Sequence, residues 1–363
     1  MSEQIHVLVI DDSAFMRKSL SLLLESDPGI KVIGTARDGQ DGIDKIRQLK
    51  PDIVTLDIEM PRMDGLTALQ IIMKECPLPV LMVSSMTTEG AEATIRGMEL
   101  GAVDFIPKQL SYVSLDIVKI KNDLLEKVHE IFRSRCLRER FSRLRTPRPS
   151  IEGPEAPSIV TAARWNGTSP DIEFPVVAIG VSTGGPFALH ALLPKIPKTF
   201  PKGIVIVQHM PPKFTKSLAD RLNNLSELTV KEAEEGDIVQ EGVALVAPGG
   251  LHLTFRRNDI RSVAVHLSEE PTKTLHRPSV DVMMISAAEV FGPGVLGIIM
   301  TGMGKDGLEG LKLIKQRNGY VIAQNEETCV VYGMPRAAVE AGLSDVIAPL
   351  EQIPEILTSI VLH

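Results

Sequence analysis

Twice along this chain of 363 residues, short apolar runs alternate with longer segments whose apolar residues recur at helical spacing. In the first 130 residues the segments between the runs include AFMRKSLSLLLES. Gly, Pro and Asp bound the runs, as is typical of strands, and the runs cover residues 5–10, 31–36, 53–58, 79–85 and 104–108. Five such units predict an α/β domain, a doubly wound five-stranded parallel sheet with helices on both faces.

The alternation resumes after residue 175 with a different content. The strand candidates there cover residues 176–182, 203–209, 244–249, 252–257, 262–268, 295–302, 320–325 and 345–350. No helical pattern separates the runs in the middle of this set, which predicts a β-hairpin region there. We therefore expect a second domain of three-layer α/β/α architecture with a mainly parallel sheet.

Residues 135–172 interrupt the alternation and are rich in Pro, Gly, Ser and Ala, which predicts a flexible linker. This places a first domain over residues 1–134 and a second over residues 173–363. An arginine-rich stretch, FRSRCLRERFSRLRTPRPS, leads into the linker. Such a run is more often a solvated face or a partner-docking segment than a nucleic-acid patch. The net charge of −7 likewise gives no reason to expect nucleic acid as a partner.

The N-terminal sequence, the length of the apolar runs and the cysteines predict a location in the cytoplasm. The N-terminal MSEQIHVLVIDDS lacks the basic and apolar regions of a signal peptide. No apolar run is long enough to cross a membrane, so we expect no membrane insertion. The three cysteines include no CxxC pair, which argues against a zinc site and a disulfide framework.

Acidic and cationic residues follow the strands of the first domain. In a sheet of order 2-1-3-4-5, the first and third strands are neighbours, so Asp11, Asp12 and Asp57 are expected to converge at the carboxyl edge. Converging carboxylates repel one another unless a cation neutralises them, and oxygen ligands favour Mg²⁺. Ser84 and Lys108 follow the fourth and fifth strands at the same edge. The set suits acceptance of a phosphoryl group by Asp57, whereas the simpler alternative is that each acid caps a following helix.

The first half of the chain resembles the receiver domains of two-component response regulators. The resemblance covers about residues 4–125 and rests on VIDDS, LDIEMPRMDG, VLMVSS and GAVDFIPK, in that order. It implies that Asp57 is the phosphoacceptor. The implied Mg²⁺ ligands are Asp12, Asp57 and the Glu59 backbone carbonyl, with Asp11 acting through water.

The same resemblance implies a conformational switch beside the phosphoacceptor. Ser84 and Phe105 match the hydroxyl and aromatic positions that shift on phosphorylation, and Lys108 matches the lysine that contacts the phosphoryl group. Gln109 departs from the family pattern, in which a proline usually follows this lysine.

In the second half, GVSTG places Ser182 between a strand and a helix. The pattern fits a nucleophile elbow, and a phosphate-binding turn fits it equally well. A nucleophile needs a base and an orienting acid. His209, at the end of GIVIVQH, is the expected base and His276 its competitor. Asp306, in the glycine-rich loop of IIMTGMGKDG, is the expected acid, although an isolated aspartate there would more often cap the next helix.

This half resembles the catalytic domain of the chemotaxis protein-glutamate methylesterases. The shared stretches include GVSTGGP, VQHMPPKFTKSLADRL, VAPGGLHL, HRPSVDVMMISAA, IIMTGMGKDG and YGMPRAA. The resemblance implies a catalytic triad of Ser182, His209 and Asp306, for which we expect the oxyanion to be held by the backbone N–H groups of Thr183 and Met303. Lys213 departs from the family, in which a small residue is frequent at this position.

What the family resemblance implies for function is specific. It implies a phosphorylation-activated serine hydrolase that removes methyl groups from glutamate γ-esters on the cytoplasmic helices of methyl-accepting chemoreceptors, releasing methanol, and that deamidates receptor glutamines. It implies a chemotaxis histidine kinase as phosphodonor, Mg²⁺ in the receiver and no cofactor in the esterase domain. The unphosphorylated receiver is expected to cover the esterase cleft.

Two other classes of protein stay open at this point. The chain could be a response regulator whose second domain is a non-catalytic binding module built on GVSTGG. It could also be a DNA-binding regulator, since a DNA-binding domain is the commonest partner domain of a receiver. The second half, however, has no basic recognition helix and is too large and strand-rich for a helix-turn-helix module.

Overall fold

The computed structural model describes residues 4–108, 116–134, 137, 141–142, 174–259 and 262–362. The chain divides into two compact units, Met1–Ser150 and Ile151–His363. The predicted linker over residues 135–172 lies almost entirely outside the described residues, as does Gln109. The predicted domain boundaries therefore stay predictions, and each unit is described by itself.

The first unit contains a five-stranded parallel sheet of order β2-β1-β3-β4-β5, which confirms the predicted architecture. Strand residues such as Val7 and Leu56 are fully buried because helices cover both faces of the sheet. The elements are β1 Ile5–Ile10, α1 Ala14–Leu24, β2 Ile30–Ala36, α2 Gly39–Leu49, β3 Ile53–Asp57, α3 Gly65–Glu75, β4 Val80–Ser84, α4 Thr88–Glu99, β5 Asp104–Pro107 and α5 Asp116–Arg133.

The helices of this unit begin at dedicated capping residues. The side chains of Ser13, Asp38, Asp64 and Thr87 each accept a hydrogen bond from a backbone N–H in the first turn of α1 to α4. Such caps satisfy N–H groups that have no partner within the helix. Asp57 caps none of these helices, so capping does not account for its place at the end of β3.

The second unit contains a seven-stranded parallel sheet of order β14-β13-β12-β6-β7-β9-β8 and a separate antiparallel hairpin, β10–β11. Its strands are β6 Val176–Val181, β7 Gly203–Gln208, β8 Thr229–Glu232, β9 Val243–Val246, β10 His252–Arg257, β11 Val263–Ser268, β12 Leu296–Ile299, β13 Tyr320–Gln324 and β14 Val346–Ala348. Its α-helices are α6 Gly185–Leu192, α7 Phe214–Leu225, α8 Val280–Phe291, α9 Leu308–Gln316, α10 Met334–Glu340 and α11 Ile353–Leu362.

The main core of the second unit lies between the sheet and three helices. Val176 and Ala178 of β6 pack in one buried cluster with residues of α8, α9, α10 and the hairpin. Val177 and Ile179, which alternate with them along the strand, are also fully buried. β6 is therefore covered on both faces, and it stands at the centre of the sheet between β7 and β12.

The structure differs from the predicted strands in two respects. β8 was not predicted, because Thr229–Glu232 is a short, mostly polar segment at the edge of the sheet. Several predicted strands also ran one to three residues too far at their carboxyl ends, as for residues 295–302 against the observed Leu296–Ile299. The apolar pattern continues into the loops there, and these loops contain the candidate site residues.

Candidate phosphoacceptor and hydrolase sites

The structure brings an acid pair and a lysine together at the carboxyl edge of the first sheet. Asp11 follows β1 and Asp57 ends β3, and both side chains are almost fully buried. Lys108, after β5, places its Nζ 2.6 Å from Asp57 Oδ2 and 3.5 Å from Asp11 Oδ2. One ammonium therefore faces two buried carboxylates.

The ionisation of this pocket is perturbed by burial. The pKa of Asp57 is raised to about 6, chiefly by burial; Lys108 opposes this shift and the neighbouring Asp11 adds to it. The pKa of Asp11 is also raised, chiefly by burial. Burial alone would lower the pKa of Lys108, but its contacts with Asp57 and Asp11 raise it overall. The lysine therefore stays charged. A further bound cation would stabilise the ionised forms of the two carboxylates.

The chemistry of the donor set fits Mg²⁺. Carboxylate oxygens of Asp11, Asp12 and Asp57 lie within 4.8 Å of one another. The two buried carboxylates share the single ammonium of Lys108, so a bound cation would offset the repulsion that remains between them. Asp12 is exposed to solvent, which would leave room for the water ligands that Mg²⁺ retains. Arg17 holds this loop in place by donating to the Asp11 and Asp12 carbonyls.

The two predicted switch residues lie beside this pocket in defined contacts. The Ser84 hydroxyl donates a 3.0 Å hydrogen bond to the Gly90 carbonyl in the first turn of α4. Phe105 is buried, and its carbonyl accepts a 2.9 Å hydrogen bond from Lys127 Nζ, which also lies 5.5 Å from the ring centroid. The side chain of Glu59, whose backbone carbonyl is the predicted third Mg²⁺ ligand, accepts a hydrogen bond from the Ser85 hydroxyl at 2.8 Å.

In the second unit, Ser182 lies at the turn that joins the central strand β6 to α6. Its N–H donates to the Thr301 carbonyl at 3.0 Å, and its carbonyl accepts from Gly185 at 2.7 Å. Gly184, before the helix, has a φ of 77°, a left-handed conformation that favours glycine. The glycine-rich sequence thus makes a sharp turn in which the backbone on both sides of the serine is fixed.

The candidate base and acid are directly bonded. His209 follows β7, and its Nε2 lies 2.8 Å from Asp306 Oδ2. Because a carboxylate only accepts, Nε2 carries the proton and Nδ1 holds the free lone pair. Nδ1 is buried and has no hydrogen-bond partner, so the bond to Ser182 is not formed in this structure. Catalytic hydrogen bonds are commonly long before substrate binds, and Nδ1 is the ring atom available to Ser182.

Asp306 is held by a set of donors that sequence reasoning missed. Its carboxylate accepts from the Ser279 hydroxyl at 2.9 Å and from the backbone N–H groups of Val280 at 2.7 Å and Asp281 at 3.0 Å. Burial would raise the pKa of Asp306, but His209 and these N–H groups hold it well below its usual range. The signal for this contact was the serine of HRPSVDVMM, which caps α8.

The rejected competitor for the base lies against the chosen one. The His276 ring stacks on the His209 ring, with centroids 4.0 Å apart and an interplanar angle of 17°. Three residues after His276, the Ser279 N–H donates to Nδ1 of the buried His252 at 3.2 Å. Burial lowers the pKa of His252, which keeps it neutral as an acceptor. The segment that contains His276 and Ser279 therefore contacts the His209–Asp306 pair from one side.

The two backbone groups expected to bind an oxyanion are available. The N–H groups of Thr183 and Met303 donate to no protein group within the described part of the chain. The Thr183 carbonyl accepts from the Thr301 hydroxyl at 2.8 Å, which ties its loop to the one that contains Met303. Their role stays a prediction.

Lys213, which departs from the family pattern, has a φ of 76° at the start of α7, a strained conformation for a residue other than glycine.

The fold and the two sites define a class of protein in which a response-regulator receiver precedes an α/β hydrolase domain. A family model for the response regulator receiver domain matches residues 7–117, and one for the CheB methylesterase matches residues 177–357. The chain is 52% identical over 98% of its length, and 99% of the relative's, to "Protein-glutamate methylesterase/protein-glutamine glutaminase 1" of Oleidesulfovibrio alaskensis. It belongs to this family of methylesterases.

A more distant relative and a solved structure support the same family assignment. A protein-glutamate methylesterase/protein-glutamine glutaminase of Pyrococcus abyssi is 46% identical over 97% of this chain and 92% of its own. The crystal structure of the Thermotoga maritima CheB methylesterase catalytic domain is 46% identical, with a TM-score of 0.51, and covers 52% of this chain and 100% of that one. The predicted family, fold and enzyme class are confirmed over the binding-module alternative.

Among the helices that the structure describes, none combines the length and the hydropathy that a membrane span requires.

Proposed function

We propose that this protein hydrolyses the γ-methyl esters of glutamates on the cytoplasmic helices of chemoreceptors, with Ser182 as nucleophile. The proposal extends to receptor glutamines, whose deamidation by the same route would release ammonia instead of methanol. The cytoplasm is its place of action, because its substrate and its phosphodonor, a chemotaxis histidine kinase, meet there. The observation that carries the proposal is the partly buried His209–Asp306 hydrogen bond of 2.8 Å beside the Ser182 turn.

The first step is acylation of the serine. His209 Nδ1 takes the Ser182 hydroxyl proton as the oxygen attacks the γ-carbonyl carbon. The Thr183 and Met303 N–H groups stabilise the oxyanion. Collapse of this intermediate breaks the bond between carbon and the methoxy group, and His209 returns the proton to the departing oxygen as methanol forms.

The second step is hydrolysis of the acyl-enzyme. Water attacks the same carbonyl, His209 Nδ1 takes its proton, and Ser182 leaves with that proton to regenerate the hydroxyl. The products are methanol and a free receptor glutamate. Asp306 keeps the Nε2 proton in place throughout and stabilises the imidazolium that forms twice in each cycle. Its lowered pKa supports this role, because it stays an anion at every pH at which the enzyme would work.

We propose that the receiver controls this reaction through a phosphoryl group on Asp57. An oxygen of Asp57 attacks the phosphorus of the donor's phosphoryl group, the bond from phosphorus to the donor atom breaks, and the donor departs with that electron pair, while Lys108 pairs with the phosphoryl oxygens. Mg²⁺, held by Asp12, Asp57 and the Glu59 carbonyl with Asp11 acting through water, would neutralise the charge that gathers there. Ser84 and Phe105 then shift from their present contacts, and the hydrolase becomes more active, a change of population between two states.

The experiment is methanol release from methylated receptor, with and without acetyl phosphate and Mg²⁺. We expect Ser182→Ala to abolish release while the circular dichroism spectrum stays unchanged. Asp57→Asn should retain the basal rate and lose both the response to acetyl phosphate and the phosphoryl adduct in mass spectrometry. Near-normal turnover by folded Ser182→Ala would refute the nucleophile, and an adduct that survives in Asp57→Asn would place the acceptor elsewhere.

A further inference from the structure

We infer that Gln208 is a positioning residue that joins the nucleophile to the base, an inference that rests on the proposed function. Gln208 is the last residue of β7 and only 2% of it is exposed. Its Nε2 donates to the Ser182 carbonyl at 3.0 Å and to the His209 carbonyl at 3.2 Å. One buried amide group therefore binds the backbone of both residues that exchange the proton.

The place of this amide in the sheet explains why such a link matters. The pairing of β6 with β7 ends at Val181 and Gln208, and the last backbone bond between them runs from the His209 N–H to the Val181 carbonyl at 3.2 Å. Beyond this point the two strands lead into separate loops, one of which contains Ser182 and the other His209. The Gln208 amide continues the connection past the end of the ladder, where the distance between nucleophile and base is set.

The orientation of the amide follows from its partners. Both of its contacts are carbonyl oxygens, so the NH₂ group must face them, because the reverse orientation would set three oxygens against one another. The oxygen, Oε1, points to the other side and is buried without a hydrogen-bond partner. Burying an acceptor in this way is unfavourable for stability. An apolar side chain would avoid that cost, so the two donors are what the amide contributes.

The space for the amide is provided by the serine turn itself. A Cβ atom at Gly185 would lie 1.9 Å from Gln208 Oε1, so any other residue at 185 would displace the amide. The Gly185 N–H also donates to the Ser182 carbonyl, which therefore accepts two hydrogen bonds, one from each loop. The turn after Ser182 and the side chain before His209 fit each other. This contact positions the nucleophile without touching the reacting atoms.

The test compares Gln208→Met, which keeps the length and removes the donors, with Gln208→Glu, which sets a carboxylate against the two carbonyls. The control is Thr215→Val, since Thr215 is equally buried in α7 and its hydroxyl bonds Glu232 at 2.6 Å and the Gly249 N–H at 2.9 Å. Each full-length variant is assayed with p-nitrophenyl acetate and with a fluorophosphonate that labels an active serine, with acetyl phosphate and Mg²⁺ present.

We expect Gln208→Met to lower kcat and the labelling rate about tenfold or more with KM within twofold, because small misplacements of a nucleophile have large effects on rate. Gln208→Glu should be slower still. Thr215→Val should keep its kcat even where its melting temperature falls further. A kcat for folded Gln208→Met within twofold of the unsubstituted protein, or losses in kcat that track melting temperature across all three variants, would overturn the inference. If Gln208→Met does not fold, the same comparison applies to Gln208→Glu.

Ser182→Ala separates this inference from the proposed function. If Ser182→Ala still labels at the unsubstituted rate, the nucleophile has been misassigned and the proposed function fails. If Ser182→Ala loses labelling while Gln208→Met and Gln208→Glu keep it, the function stands and only the positioning role of Gln208 is wrong.

Discussion

The two candidate sites place a buried aspartate at the same kind of position and give it opposite properties. Asp57 ends a strand of the first sheet, and Asp306 follows a central strand of the second. The pKa of Asp57 is raised to about 6 by burial, whereas that of Asp306 is lowered despite burial. The difference lies in the neighbours, because Asp57 shares one lysine with a second buried acid, while Asp306 accepts from four donors.

This contrast indicates what each site requires before it can act. Under the proposed function, the receiver pocket is incomplete, since its two buried carboxylates share one ammonium until a metal cation binds. The proposed hydrolase centre already has the bond between base and acid, and lacks only the contact between Ser182 and His209. A site that is completed only by a bound ligand is suited to regulation of activity, and a preorganised site is suited to catalysis.

Of the changes to the two aspartates, removing the charge of Asp306 has the larger expected effect. Asp306→Asn should lower kcat for methanol release by about 10³-fold or more, because an amide can present the wrong atom to His209 and does not stabilise the imidazolium. Asp345→Asn is the matched control. Asp345 also binds a backbone N–H, that of Val321 at 2.8 Å, and a cation, Lys315 at 2.7 Å, but lies outside the site. Equal losses in the two variants would mean that Asp306 acts only through stability.

A smaller effect is expected at His276. His276→Ala removes the ring that stacks on His209 and should lower kcat by no more than about tenfold, since the in-plane bond to Asp306 remains. His209→Ala should lower it by about 10³-fold, because the base itself is lost. His276→Phe keeps a flat ring and should restore most of the rate. Kinetics on methylated receptor decide between the two histidines, and the reverse ranking would show that the base was chosen wrongly.

Asp57→Asn should stabilise the first unit at neutral pH. The folded-state pKa of about 6 lies above the ordinary value of 3.8, so folding favours the protonated form and the ionised Asp57 destabilises the fold above about pH 6. Asn removes this cost, while Lys108 loses a partner. We expect a net gain of about 1–2 kcal/mol at pH 7.5 that disappears as the pH falls below about 4. Hydrogen exchange of the β1 and β3 amides measures it.

The control for this gain is Asp52→Asn. Asp52 is more exposed and accepts a hydrogen bond from the His6 N–H at 2.8 Å, so its loss should be neutral or destabilising. A gain of equal size at both positions would reflect only the reduced net charge of the unit, and a loss at Asp57 would show that its ion pair with Lys108 outweighs the effect of burial.

The smallest expected effect is that of Mg²⁺ in the absence of phosphodonor. Chelation of Mg²⁺ should lower the melting temperature of the first unit by a few degrees at pH 8, because a cation that binds only the folded state stabilises it. The effect should fade as the pH falls through about 6, since protonated carboxyl groups bind metal poorly and the pKa of Asp57 lies there. A shift of the same size in Asp57→Asn would place the binding site elsewhere.

Much of this arrangement could be predicted from the order of strands and loops. Because parallel strands bring their carboxyl ends to one edge, reading the residue after each strand was enough to find Asp57, Lys108, Ser182 and His209. The edge strand β8 could not be found in this way, since its four residues lack an apolar pattern. The signal for Gln208 was present as one polar residue inside an apolar run, but its meaning depends on tertiary contacts.

The contacts of Asp306 with the first turn of α8 have a consequence for local unfolding. The Val280 and Asp281 N–H groups that would otherwise begin the helix without partners are bonded to the catalytic carboxylate. The helix start therefore cannot fray without releasing Asp306, and Asp306 cannot leave His209 without exposing the helix start to water. Under the role proposed for Asp306, opening of this turn and inactivation of the hydrolase are the same event, so the exchange rates of the Val280 and Asp281 amide hydrogens report how often the enzyme is briefly inactive.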